Sequence, residues 1–76
     1  MSLTILNLTR FQCPDTMIFF RKYLRRINKK NIILILSNDI SIQWDMPLFC
    51  NCMNYILIKK ITTKKPYYFF IKKNIN

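Results

Sequence analysis

The 76-residue chain contains no glycine and no histidine, and its acidic residues number 3 against 13 Lys+Arg. Without histidine, no cysteine here can belong to a Cys-His hydrolytic pair. The same lack leaves Cys13, Cys50 and Cys52 as the whole thiol and imidazole supply, one ligand short of a closed structural zinc site. An odd number of cysteines also fails to make a self-contained disulfide framework, so free thiols in a reducing compartment are expected. Long apolar runs are missing: Ile32–Leu36 is as long as any, far short of the roughly 20 residues a spanning helix needs. The segment Met1-Ser2-Leu3-Thr4-Ile5-Leu6 has neither a basic leader nor a small-residue cleavage site, and a cytoplasmic protein that does not enter a membrane is expected.

Alanine, valine and glutamate are absent along with glycine, while Ile, Asn, Lys, Phe and Tyr abound. Aspartate is thus the only residue present whose codons begin with G, the mark of a base composition rich in A and T. The net charge of +10, which ordinarily points to a polyanion, is discounted accordingly. At this length the chain makes one domain, residues 1–76, with no room for a deep cleft between domains. Any chemistry must rest on one or two surface side chains.

Leu3–Leu8 reads as a first strand. Pro14 followed by Asp15 marks the first turn of a helix, in which Met17, Phe20, Leu24 and Ile27 recur at helical spacing and basic residues fill the outer face. In a chain without glycine, Asn28 or Asn31 is expected to take the left-handed cap. Ile32–Leu36, bounded by polar residues, reads as a mid-sheet strand. Within Ser41–Tyr55 the pattern predicts a second helix that restarts at Pro47, and Asp39 or Asp45 is expected to cap or begin it. Ile56–Thr62 and Tyr67–Lys72 form a hairpin through Thr63-Lys64-Lys65-Pro66. The order βαβαββ predicts an α+β fold, a two-layer α/β sandwich whose four-stranded mixed sheet carries both helices on one face.

Cys13 precedes Pro14, which places its sulfur at a helix N-terminus, where unpaired N–H groups stabilise a thiolate or persulfide without a metal. Asp15 in the same turn supports the helix but opposes that anion. The residues alone leave two readings open: sulfur-transfer chemistry that needs only a nucleophilic thiol and a partner, or a small cysteine packed at a strand-helix junction. Cys50 reads as a packing residue, and Cys52, two residues on and facing another direction, as core or incidental. Arg21, Lys22, Arg25 and Arg26 are either a docking surface for an acidic partner or a solvated helix face.

Phe11-Gln12-Cys13-Pro14-Asp15, the helix with Arg21-Lys22, the strand followed by Asn38-Asp39, and Asp45-Met46-Pro47-Leu48-Phe49-Cys50 together resemble the TusA-type sulfur-carrier family. The resemblance runs through nearly the whole chain. It implies a βαβαββ sandwich in which Cys13 accepts sulfane sulfur as a persulfide from a cysteine desulfurase, Pro14 being the motif proline. It further implies delivery through relay proteins to 2-thiouridine at the wobble position of tRNA, with no cofactor and no metal. Three positions depart from the family pattern: Thr16 replaces the second proline of Cys-Pro-x-Pro, Arg10 stands where glycine often precedes the motif, and Ile40 where proline often follows the acidic pair. A reading from a different class is a small basic RNA- or ribosome-binding module, with Trp44 and Tyr67-Tyr68-Phe69-Phe70 as a base-stacking platform beside Lys64, Lys65, Lys72 and Lys73.

Overall fold

A computed structural model describes residues 3–12, 15–27 and 30–74. Its elements follow in the expected order: β1 (Leu3–Asn7), α1 (Asp15–Leu24), β2 (Ile32–Ser37), α2 (Ile42–Cys52), β3 (Tyr55–Ile61) and β4 (Tyr67–Lys73). The strands make one four-stranded sheet in the order β1-β2-β4-β3. β1 and β2 are parallel, as the α1 crossover requires, and the other neighbours are antiparallel.

Strand β4 inserts beside β2 and pushes β3 to the edge. Composition accounts for the placement, because Tyr67, Phe69 and Ile71 of β4 are buried while β3 carries Lys59 and Lys60 and a bulge between Leu57 and Lys59. Lysines and a bulge are common means of guarding an edge strand against further pairing.

Pairing register divides the sheet into two faces. On the inner face, Ile33 and Ile71 are cross-strand neighbours, as are Ile35 and Phe69, and Ser37 and Tyr67, all buried. The helices cover this face: Phe20 of α1 and Ile42, Met46, Phe49 and Cys50 of α2 join the same core. Phe20 meets Phe49 edge to face, with ring centroids 4.8 Å apart. On the outer face the cross-strand rows run Leu3-Ile32-Lys72-Ile56, Ile5-Leu34-Phe70-Lys59 and Asn7-Leu36-Tyr68-Ile61. No helix of this fold packs there, and Leu3 and Ile5 remain 54% and 58% exposed.

Three details differ from expectation. The first helix ends at Leu24, so Arg25, Arg26 and Ile27 lie beyond it. The second helix starts at Ile42 rather than Pro47, and Pro47 lies inside it. Its start is fixed upstream by a turn in which the N–H groups of Ile42, Gln43 and Trp44 donate to the carbonyls of Asp39, Ile40 and Ser41. The positive-φ position among the described residues is Asn54, at φ 59°, in the turn from α2 to β3. Asn31 instead donates its side-chain amide to Thr4 Oγ1 at 2.8 Å, and Asn28 lies outside the described residues. Asn tolerates the left-handed region better than other residues with a Cβ. Asn54 is held there by a backbone bond from Asn74 N–H to its carbonyl (2.9 Å) and by side-chain bonds to the same residue.

Candidate functional site

The segment between β1 and α1 is anchored from several sides. Leu8, 1% exposed, sinks into the core and its N–H donates to the Leu36 carbonyl at 2.8 Å. The Asn7 side-chain oxygen accepts from Thr9 N–H (3.1 Å) and Thr9 Oγ1 (2.7 Å), a local turn that asparagine makes readily. From the β2–α2 turn, Asn38 donates to the Thr9 carbonyl at 3.3 Å. Phe11 stacks on Phe19 of α1 at 4.2 Å, and the Arg10 guanidinium lies over the Phe11 ring at 5.5 Å.

Cys13 and Pro14 themselves lie outside the described residues. The structure places what flanks them: exposed Gln12 on one side and exposed Asp15, the first residue of α1, on the other. Thr16 N–H donates to the Gln12 carbonyl at 3.2 Å. Arg10, where the resemblance expects glycine, has no positive φ.

In the sequence Thr16 stands out only as the replacement of the second motif proline. In the structure it is 1% exposed, and its hydroxyl donates to Asp39 Oδ2 at 3.2 Å. Asp39 also accepts from Ser41 N–H (3.0 Å) and Ser41 Oγ (2.9 Å), while its own N–H donates to Ser37 Oγ (3.0 Å). The first turn of α1 is thereby tied to the turn that starts α2. The sequence does hold a signal for this: Thr16 stands four residues before the core residue Phe20, on the same helix face.

Of the four basic candidates, Arg21 and Lys22 lie in the last turn of α1 and Arg25 and Arg26 in the turn that follows it, and all are exposed. Arg21 lies with its guanidinium 5.7 Å from the centroid of the Phe49 ring. It borders a groove of about 390 Å³ between α1 and α2, whose walls include Met17, Asp45, Leu48, Cys52 and Met53. Leu48 and Trp44, on the solvent side of α2, are 63% and 61% exposed. Trp44 therefore sits in the helix layer, apart from the β4 aromatics with which the sequence had grouped it.

Cys50 and Cys52 point in different directions, the first buried in the core and the second exposed. Burial pushes the Cys50 thiol up to about 11. Burial also raises the Tyr55 phenol, with a further push from Cys50. Among the described residues no three His, Cys, Asp or Glu side chains gather in a way that would hold a metal ion. No described helix is long and apolar enough to cross a membrane. No family model matches the chain.

Proposed function

We propose that the protein is a sulfur carrier whose working atom is the sulfur of Cys13. The observation that supports this reading is that α1 begins at Asp15, two residues after Cys13 in the sequence. A sulfur anion at such a helix start gains from unpaired N–H groups and the dipole. Exposed Gln12 and Asp15 on either side support access by a partner protein. Exposed Arg21 and Lys22 at the end of α1, with Arg25 and Arg26 in the turn after it, offer a cationic patch.

The chemistry needs no redox partner. The Cys13 thiolate attacks the outer sulfur of a cysteine desulfurase persulfide; the new S–S bond forms as the donor S–S bond breaks, and the desulfurase thiolate leaves. A relay protein's thiolate then attacks the same sulfur, with Cys13 as leaving group, and the sulfur passes toward 2-thiolation of the tRNA wobble uridine. Such a carrier works in the cytoplasm.

The decisive measurement is intact mass after incubation with a cysteine desulfurase and cysteine, without reductant. The native chain should gain one sulfur atom that reductant removes, and Cys13→Ser should gain none. A native chain that takes up no sulfur, or a Cys13→Ser variant that still does, would end this reading.

A further inference from the structure

We propose that the outer face of the sheet, on the side away from α1 and α2, binds single-stranded nucleic acid. This inference is independent of the sulfur-carrier reading, since it uses no residue of the β1–α1 segment. Alternation along β4 divides its aromatic run: Tyr67 and Phe69 belong to the core, whereas Tyr68 and Phe70 lie half-buried on the outer face. They are about 6.8 Å apart along a central strand, which gives each ring room for one base. Lys72 continues the same line, and Lys59 lies directly across from Phe70 on β3. Four-stranded sheets that bind single strands use such central aromatics as stacking platforms, with cations to meet the phosphates.

Charge selects among possible occupants. The chain carries only three acids, Asp15, Asp39 and Asp45. These sit on α1, in the β2–α2 turn and on α2, so among the described residues the outer face has lysines and no acidic side chain. A second copy stacked on this face would press Lys59 and Lys72 against the same two lysines with no countercharge, an unfavourable burial. A lipid surface is a poorer fit because Leu34 and Leu36 at the centre of the face are half-buried and the exposed Leu3 and Ile5 sit on the edge strand β1, whereas the helices that sink about 5–10 Å into the headgroups present a continuous apolar face. An unpaired strand presents apolar base faces for Tyr68 and Phe70 together with phosphates for Lys59 and Lys72.

The test uses fluorescence anisotropy with a labelled oligouridine of about twelve nucleotides, within the site size of small single-strand binders, at several salt concentrations. The native chain should bind, and Tyr68→Leu with Phe70→Leu should weaken binding by about tenfold or more. Circular dichroism checks that this variant remains folded. Lys59→Gln and Lys72→Gln should each reduce the slope of log affinity against log salt by about 0.7. Arg25→Gln with Arg26→Gln, in the other layer, should change affinity far less. Undiminished binding by the folded leucine variant would overturn the proposal. So would a loss that follows Arg25 and Arg26, capture by phosphatidylglycerol vesicles in place of RNA, or a stable dimer closed through this face.

Discussion

Thr16 Oγ1 donates to Asp39 Oδ2 across 3.2 Å, joining residues 23 apart in sequence and fixing the first turn of α1 to the turn before α2. The bond ends on a carboxylate, and both residues are at least partly withdrawn from water, conditions under which a hydrogen bond contributes above the average. Thr16→Val keeps the shape and deletes the donor. It should lower stability by about 1–2 kcal/mol in urea denaturation. Asp39→Asn, which keeps its acceptor toward Ser41, should cost less when Val already occupies position 16. Strict additivity of the two changes would show that the pair is not coupled.

Pro47 has no N–H to offer the helix ladder, and its ring crowds the carbonyl four residues earlier. It is the sixth residue of α2, beyond the first turn where proline is neutral. Pro47→Ala should therefore raise stability by about 1 kcal/mol or more, a gain trimmed by the freer unfolded chain. A lower denaturation midpoint for the alanine variant would mean that the proline ring contributes packing that outweighs the lost bond.

These two sites also show where sequence reading reached its limit. The change from alternation to helical spacing revealed every element, and the lysines of β3 agree with its edge position once the sheet is known. The start of α2 was misplaced because Pro47 is a strong local signal for a first turn, whereas the actual start is set by Asp39 through Ser41 and Thr16. The continuous run Ile32–Leu36 concealed its two faces: Ile33 and Ile35 are buried, while Ile32, Leu34 and Leu36 are half-buried on the outer side. Only pairing register separates them. For the same reason the β4 aromatics could not be divided in advance between core and open face.

Cys50 should behave as a silent thiol. With its pKa at about 11 against an ordinary 9.0, it stays protonated in the folded chain at neutral and mildly alkaline pH. A thiol reagent at pH 8 should label exposed Cys52 and leave Cys50 untouched until denaturant is added. Rapid labelling of Cys50 in the folded protein would contradict its burial.

The same burial makes stability fall in alkali. Above pH 9 the unfolded chain loses the Cys50 proton while the folded chain keeps it, so the native state binds more protons and stability declines as pH rises toward 11. The loss from Cys50 should reach about 2 kcal/mol by pH 11. Tyr55, also raised, acts in the same direction. Cys50→Ala should show a flatter decline between pH 9 and 11 in urea midpoints, whatever its starting stability. Parallel curves for the two proteins would remove Cys50 as the cause.

The basic patch that follows α1 acts apart from the sulfur. If Arg25 and Arg26, both exposed, steer the carrier to its desulfurase, reversing their charge affects encounter and leaves the chemical step alone. Arg25→Glu with Arg26→Glu should raise KM for persulfide transfer by about tenfold at low salt, as expected for rim charges that govern association. The effect should shrink as salt approaches 0.5 M, where screening is strong. At saturating desulfurase the rate should match the native chain, since neither side chain is needed to hold the sulfur anion. A fall in that limiting rate with KM unchanged would instead place these arginines in positioning Cys13, and a variant indistinguishable from native at every salt concentration would reduce the basic face to a solvated surface.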